Sequence, residues 1–269
     1  MISSVIDASG SRLERWPHEE LYARLGVCYV THDRAGYGRS TRRPGRSVAD
    51  EVHDVATLAD ELGFERFGVS GGSGGGPHSL ACAALMPDRV VRAACIVGVA
   101  PFGPAGLGRD DWLAGMDPAN VREFEWTEAG EDVLTRELEG EHARMQERVA
   151  DDPSRILEDF DLSESDREEL KRPERMQIIR ETTFEQCANG VGGWVDDDLA
   201  MLHPWGFDPS TISIPTLIHY GATDVLVPPA HGVWLAAHVP GCIVKIDDVA
   251  TRGLPLTAVL IDILDLREI

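Results

Sequence analysis

The sequence predicts an α/β fold, with a mainly parallel, doubly wound sheet and an inserted helical cap. Short apolar runs such as 27–31 and 93–99 alternate with stretches of helical spacing, and the connections between them are brief. The runs are continuously apolar, which indicates strands covered on both faces and hence a parallel sheet. From 101 to 208 glutamate-rich helical stretches replace the strand signals, which return at 214–220. This return favours an insertion; an independent helical domain is the alternative.

Local signals place each element in chain order. The predicted strands cover 2–6, 27–31, 67–69, 93–99, 214–220 and 242–246. The predicted helices cover 17–25, 48–62, 80–86, 119–129, 131–150, 153–160, 163–187, 228–238 and 254–266. Pro17 suits a first helical turn, Ser47 is expected to cap the second helix with Glu51 nearby, and Gly63 ends that helix. We therefore predict a core of residues 1–100 and 209–269 and a helical cap of residues 101–208.

Composition narrows the class of protein. The chain has 25 Lys and Arg against 46 Asp and Glu, so its formal net charge is −21. Such a charge disfavours partners that attract basic patches, namely nucleic acid and anionic membrane surfaces. The five cysteines are scattered and most lie in apolar runs, which indicates buried thiols in a reducing, cytoplasmic compartment. We see no signal peptide, membrane span, metal cluster or cofactor motif, and we expect none.

The chain is organised around a glycine-rich stretch that contains the pattern Gly71-x-Ser73-x-Gly75. This pattern is typical of a nucleophile elbow, a tight strand-to-helix turn that holds a serine in a strained backbone conformation. Small flanking residues let the strand and the helix approach without a Cβ clash. A plain glycine-rich turn and a phosphate-binding loop are the alternatives. No Lys-Ser or Lys-Thr pair follows, so the phosphate-binding loop is disfavoured.

Three stretches resemble the α/β-hydrolase superfamily in their order and spacing. They are Asp33-Arg34-x-Gly36-x-Gly38-x-Ser40, the elbow, and Ile214-Pro215-Thr216-Leu217-Ile218 followed by Gly221-x-x-Asp224 and Val227-Pro228. The resemblance covers nearly the whole chain. It is strongest to capped members that act on small molecules: esterases, lactonases, epoxide or C–C hydrolases and proline-iminopeptidase-like enzymes. The motifs are specific for the fold and less so for the reaction, because this fold hosts many chemistries.

The resemblance assigns roles to three residues. It implies that Ser73 is the nucleophile and that the backbone N–H of Gly74 is an oxyanion donor. It also implies that Asp224, on the loop after a strand, is the acid that orients a catalytic histidine. The alternative for Asp224 is a loop carboxylate that caps the helix starting near Pro228.

The histidine itself is missing where the family has it. Arg252 occupies the position that aligns with the catalytic base, and a guanidinium stays protonated at any working pH, so it cannot take a proton from Ser73. Arg252 could instead pair with Asp224. A relocated histidine is a further possibility, since a base must come within about 3 Å of the serine oxygen. The candidates are His231, His78, His32, His203 and His219.

The beginning of the chain also departs from the family. Ile6-Asp7 aligns with the family's His-Gly pair near the second oxyanion donor, where a carboxylate would repel a developing negative charge. Two strands that precede this point in the family have no counterpart. The sheet edge that they would cover is then exposed or differently covered, which favours a homodimer.

Three aromatic residues, Trp194, Trp205 and Phe207, are candidates to line a substrate pocket, with cap-to-core packing as the alternative. These expectations together predict a serine hydrolase with an impaired or rearranged triad, acting on a small ester, lactone or related carbonyl compound. Loss of one triad member still leaves roughly 10³–10⁴-fold catalysis. A non-hydrolytic homologue, either a binding protein or a biosynthetic enzyme, is the alternative, as is a sequence variant of an ordinary hydrolase.

Overall fold

The computed structural model describes residues 4–7, 11–15, 19–158, 164, 167–168 and 171–247, with only the backbone described for 4–7 and 157. The position of Arg252 and the predicted helix at 254–266 lie outside these residues.

Within the described residues, six parallel strands form one sheet in the order β2-β1-β3-β4-β5-β6. The strands are β1 (Ser4–Asp7), β2 (Cys28–Thr31), β3 (Phe67–Gly72), β4 (Val90–Ile96), β5 (Thr216–Gly221) and β6 (Ile243–Asp247). The chain moves outward from β1 to β2 and then returns to the other side of β1 for β3. Ligand crevices of open parallel sheets lie at such a reversal, outside the carboxyl ends of the strands. The residue that follows β3 at this point is Ser73.

Helices cover both faces of the sheet and fill the segment between β4 and β5. They are α1 (Glu19–Leu25), α2 (Glu51–Glu61), α3 (Gly75–Leu85), α4 (Arg109–Leu113), α5 (Pro118–Glu128), α6 (Glu131–Asp151), α7 (Pro173–Glu185), α8 (Gly192–Leu202) and α9 (Pro229–His238). The predicted fold class is confirmed. We call α4 to α8 with their connections the helical segment. Its role as a cap and its predicted boundaries stay predictions.

The largest differences from the predicted strand bounds are in β3 and β4, and they have the same reason. β4 begins at Val90 rather than 93, because Arg92 interrupts the apolar run yet pairs with Gly68 in the sheet. β3 continues to Gly72, since Gly71 and Gly72 pair with Cys95 and Ile96. Sheet pairing with a distant strand therefore decides both boundaries, and the local sequence pattern does not contain that information.

The main core lies between β3 to β5 and the helices α2, α3 and α9. Phe67, Leu80 and Leu235 are fully buried in it. The helical segment has a second apolar cluster, in which Leu134 and Leu138 of α6 pack with α8. The helical segment also packs directly on the main core, in which Ala200 and Met201 of α8 are buried.

Within the described residues, no helix has the length and apolarity needed to cross a bilayer. The same residues contain no group of three His, Cys, Asp or Glu side chains placed to hold a metal ion. Cys82, Cys95 and Cys187 are buried free thiols, Cys242 is half-buried and Cys28 is exposed. Burial raises the pKa of Cys95 to about 12 and that of Cys187 to about 11, so these two thiols are poor nucleophiles.

Candidate active site

Ser73 forms the corner between β3 and α3. Its φ is 52°, in the left-handed region that a residue with a side chain adopts at a cost of about 1–2 kcal/mol. The corner is fixed by two hydrogen bonds: the Ser73 N–H donates to the Ile96 carbonyl at 2.9 Å, and its carbonyl accepts from the Gly76 N–H at 3.0 Å. Ser73 is half-buried. The strained conformation predicted for the elbow is therefore present at this serine.

Glycine is required around the corner because backbone segments come into direct contact there. A Cβ at Gly71 would overlap the carbonyl group of Gly75. A Cβ at Gly76 would lie 2.7 Å from Cys95 Sγ and 2.8 Å from the Gly98 Cα. The small residues thus let α3 start directly against the ends of β3 and β4.

Gly74 lies at the N-terminal end of the 11-residue helix α3. Within the described residues, no carbonyl or side chain accepts a hydrogen bond from its N–H group. The first N–H groups of a helix carry partial positive charge and point away from the helix body. This N–H group is therefore placed to donate a hydrogen bond to a negatively charged or carbonyl oxygen that comes close to Ser73.

Asp224 lies on the loop that leaves β5 and is 2% exposed. Its Oδ1 atom accepts hydrogen bonds from the N–H groups of Leu226, at 2.8 Å, and Val227, at 3.0 Å. Both donors precede α9, which begins at Pro229, so these bonds order the loop rather than cap that helix. The carboxylate is consequently held in one orientation by its own loop.

Ser73 and Asp224 each follow the carboxyl-terminal end of a strand, so both lie at the same end of the parallel sheet. β4 separates β3 from β5, and neighbouring strands are about 4.8 Å apart, so the two strand ends lie about 10 Å from one another. Hydrogen bonds link them in sequence, since the Val97 N–H donates to the His219 carbonyl at 2.7 Å and Ile96 accepts from Ser73. Val97 is the second non-glycine residue with positive φ among those described, at 45°. A side chain that bridges the serine and the acid would have to fill this gap.

His231 does not fill that role. Its Nδ1 atom accepts from the Ala100 N–H at 3.0 Å, so Nε2 carries the proton and donates to the Trp112 carbonyl at 2.9 Å. Burial lowers its pKa to about 4, against a partial opposing effect of the bond to Trp112. Both ring nitrogens are thus committed to the backbone, and His231 is a neutral structural residue.

His78 and His32 also take part in packing. Nδ1 of His78 donates to the Val48 carbonyl at 3.2 Å, and its Nε2 lies 3.4 Å from a carboxylate oxygen of Asp197. Nε2 of His32 lies 2.6 Å from Glu51 Oε1. Glu51, which was expected beside the Ser47 helix cap, therefore pairs with His32 instead. Of the remaining candidates, His203 is exposed at the end of α8 and His219 is buried within β5.

Two of the three aromatic candidates, Trp205 and Phe207, lie together, and Trp194 lies apart from them. Trp205 is 3% exposed in the main core and stacks on Phe207 with ring centroids 5.7 Å apart. The Trp205 carbonyl also accepts a hydrogen bond from the Ala49 N–H, in the helical turn just before α2. These contacts correspond to the packing alternative. Trp194 belongs to the helical segment, where its Nε1 atom donates to Glu123 Oε1 at 2.8 Å. A pocket role for all three stays a prediction.

A buried ionic cluster that was not predicted from the sequence also attaches the helical segment to the core. Asp197 of α8 pairs with the guanidinium groups of Arg34 and Arg46 and accepts from the Tyr37 hydroxyl at 2.8 Å. Burial alone would raise the pKa of Asp197, but the two arginines outweigh it and hold that pKa well below the ordinary value. Three consecutive aspartates, 196–198, in an otherwise apolar helix are the sequence signal that could have revealed this cluster.

The loop of the Asp33–Ser40 motif, which carries Arg34 and Tyr37, contacts the helical segment at further points. Gly36 packs against the backbone of Gly193, where a Cβ would lie 2.6 Å from the Gly193 Cα. The Gly38 N–H donates to the Gln186 carbonyl at 2.7 Å, and the Gly38 carbonyl accepts from the Asn189 side chain at 2.8 Å. The glycines of the Asp33–Ser40 motif therefore let the helical segment dock closely against this loop.

The strain at Ser73 leads to a stability prediction. Ser73→Gly should be more stable than Ser73→Ala by about 1 kcal/mol, because glycine adopts positive φ without the Cβ penalty that alanine retains. Chemical denaturation of the two variants measures the difference. Equal stability, or a more stable Ser73→Ala, would contradict the strained corner.

Comparison with known proteins agrees with this geometry. The family model of the alpha/beta hydrolase fold matches residues 16–248. The hydrolase YcgS of Bacillus subtilis strain 168, itself described as uncharacterized, is 35% identical over 65 residues, which are 24% of this chain and 23% of YcgS. Homoserine O-succinyltransferase of Bordetella petrii is 40% identical over 80 residues, which are 27% of this chain and 18% of that protein. The chain thus spans about a fifth of the length of these relatives.

Among solved structures, the enol-lactonase from Burkholderia xenovorans LB400 superposes with a TM-score of 0.65 and 19% identity. The superposition covers 98% of this chain and 92% of the lactonase, so the two share the fold over nearly their full lengths. The strand order, the serine corner after β3 and the match over residues 16–248 agree with one another. This chain belongs to the alpha/beta hydrolase fold family.

Proposed function

We propose that this protein is a serine hydrolase that acts on a small ester, lactone or related carbonyl compound through Ser73. The observation that carries the proposal is the left-handed backbone of Ser73 at the sheet's reversal point, beside the N–H group of Gly74. Strained conformations of this kind cluster at active sites, where the surrounding structure imposes them at a cost in stability. The resemblance in fold to an enol-lactonase supports a carbonyl substrate.

The proposed reaction is acyl transfer in two steps. Ser73 Oγ attacks the carbonyl carbon, the carbonyl electron pair moves to the oxygen, and the Gly74 N–H donates to that oxyanion. The serine proton passes to a base and then to the departing oxygen, which leaves with the bonding electrons. Water then cleaves the acyl-serine by the same sequence and releases the carboxylic acid. Asp224 would orient and stabilise a protonated base.

The base is the impaired or rearranged part of this triad. The motif alignment puts Arg252 at the position of the base, and a guanidinium keeps its proton, so it cannot act as general base. His231 does not replace this base, because it is buried and both of its ring nitrogens are hydrogen-bonded to the backbone. We therefore propose slow turnover, of the size that an oxyanion donor and substrate positioning support without a complete triad.

A second candidate function follows from the same residue. Arg252 at the base position favours a non-hydrolytic homologue that binds a small carbonyl-containing ligand or uses the cleft in biosynthesis. In that case Ser73 and Asp224 are polar ligand contacts. The two functions differ in one property, namely whether the Ser73 hydroxyl reacts with an electrophile.

The setting proposed for either function is a cytoplasmic protein with a small-molecule substrate and no nucleic-acid or membrane partner. We also propose a homodimer through β2, which pairs only with β1 among the described strands and so presents an edge. Light scattering tests this association, and a monomeric mass at all concentrations would contradict it.

A fluorophosphonate probe distinguishes the two functions. We expect slow labelling of the unaltered protein, none of Ser73→Ala, and faster labelling of Arg252→His, because an imidazole at that position can accept the serine proton. Labelling only after Arg252→His would support the non-hydrolytic function. Absence of labelling in both proteins would exclude an acyl-transfer site at the corner.

A further inference from the structure

The loop that carries Asp224 is held from two sides. On one side, Asp224 Oδ1 accepts from the N–H groups of Leu226 and Val227. On the other side, two residues at the start of α5 in the helical segment donate to the same loop. The Asp117 N–H donates to the Val225 carbonyl at 2.8 Å, and Asn120 Nδ2 donates to the Leu226 carbonyl at 2.9 Å.

These four bonds act on only two peptide groups. The Val225 carbonyl and the Leu226 N–H belong to one planar unit, and the Leu226 carbonyl and the Val227 N–H belong to the next. In a trans peptide the C=O and N–H point in opposite directions from a rigid plane. Each plane is therefore hydrogen-bonded at one edge to the N-terminal end of α5 and at the opposite edge to the Asp224 carboxylate. A rotation of either plane would move a donor away from Asp224.

We propose that Asn120 is a positioning residue for Asp224, acting through the Leu226–Val227 peptide plane. The inference rests on the proposed function only in so far as Asp224 is the catalytic acid; the mechanical link itself does not depend on it. Asn120 is half-buried and Leu226 is 2% exposed, so the bond between them is sheltered from water. Loss of the amide leaves the Leu226 carbonyl without this donor, and the peptide plane gains freedom to turn.

The link has a consequence for the helical segment. α5 also supplies Phe124, whose ring packs against Phe102 and Trp112 with centroids 5.3 and 5.1 Å apart. Phe102 follows β4 and lies in the connection that leads from the sheet edge into the helical segment. The helix α5 thus helps to set the orientation of Asp224 and also packs beside the carboxyl-terminal end of β4. A substrate that displaces α5 would therefore alter the orientation of Asp224.

The chain offers a matched control at the other end of the helical segment. Asn189 Nδ2 donates to the Gly38 carbonyl at 2.8 Å, which is again one side-chain amide bonded to one core carbonyl. Asn189→Ala removes a bond of the same kind at a site remote in sequence from the Asp224 loop. Asn120→Asp serves as a second variant, since a carboxylate of nearly the same size cannot donate to Leu226.

Two readouts test the link. Amide hydrogen exchange of the Leu226 and Val227 N–H groups should become faster in Asn120→Ala and Asn120→Asp, and should be unchanged in Asn189→Ala. Fluorophosphonate labelling is measured in the Arg252→His protein, where a base is present for Asp224 to orient. There the rate constant at saturating probe should fall about tenfold in both Asn120 variants, with an unchanged half-saturating concentration. Asn189→Ala should stay within about twofold of Arg252→His itself.

Unchanged exchange at Leu226 and Val227 would overturn the link, as would an equal loss of labelling in Asn120→Ala and Asn189→Ala. If exchange becomes faster while the unaltered protein fails to label at all, the proposed hydrolysis fails and the mechanical link stands. Faster exchange with normal labelling would show that Asn120 orders the loop without positioning the acid, which also contradicts the proposal.

Discussion

Replacement of Asp197 by asparagine should lower the free energy of unfolding by about 3–5 kcal/mol, the cost of breaking a buried ion pair from one side. Arg34 is 3% exposed and Arg46 is 6% exposed, and both pair with this single carboxylate. Asparagine keeps the shape but removes the charge, so two guanidinium groups would be left buried without it. Urea denaturation followed by tryptophan fluorescence measures the change.

The contrast with an exposed pair makes the test specific. Arg43 and Asp54 pair at 2.6 Å, with their side chains 41% and 36% exposed. Asp54→Asn should therefore cost less than about 1 kcal/mol, because water solvates the remaining arginine. Similar losses for Asp197→Asn and Asp54→Asn would show that the cluster does not fix the helical segment to the core.

Stability should fall as the pH is lowered from about 6.5 to about 4 because of His231. Burial lowers the pKa of this side chain in the folded state to about 4, from an ordinary value of 6.5. Between these values the unfolded chain binds the proton and the folded chain does not, so the free energy of unfolding rises with pH across this window. The full effect is about 3 kcal/mol, present above pH 6.5 and lost below pH 4.

Comparison with two variants isolates this contribution from that of the carboxylates. His231→Gln should be less stable than the unaltered protein at pH 8, because glutamine replaces the bond to Trp112 but not the acceptor for Ala100. Its stability should change less between pH 6.5 and 4. His53→Gln, at an exposed position, should keep the original slope. An unchanged slope in His231→Gln would contradict the assignment of His231 as a neutral structural residue.

The sequence was sufficient for the fold because the fold rests on short-range patterns. Apolar runs, helical spacing and glycine-rich turns indicate the six strands and most helices, and the pattern around Ser73 indicates the strained corner. The limits of β3 and β4 were wrong where glycines and Arg92 pair within the sheet. Such pairing depends on a partner strand far away in the chain, so no local window contains it.

Only part of the candidate site could be predicted from the sequence. Ser73, Gly74 and Asp224 each belong to a motif, and the structure places all three at the carboxyl-terminal edge of the sheet. Contacts between distant segments could not be predicted, because a single sequence does not say which side chains meet. The bonds of His231 to Ala100 and Trp112, and of Asn120 to the Asp224 loop, are of this kind. The role of Arg252 stays a prediction from the motif alone.

The most direct test is to locate the adduct by peptide mass mapping after fluorophosphonate treatment, in the unaltered protein and in Arg252→His. We predict one phosphonylated peptide, which contains residues 71–76, with the modification on Ser73 and more of it in Arg252→His. Modification at a different serine, or of no residue in either protein, would contradict the claim that a reactive hydroxyl stands at this corner.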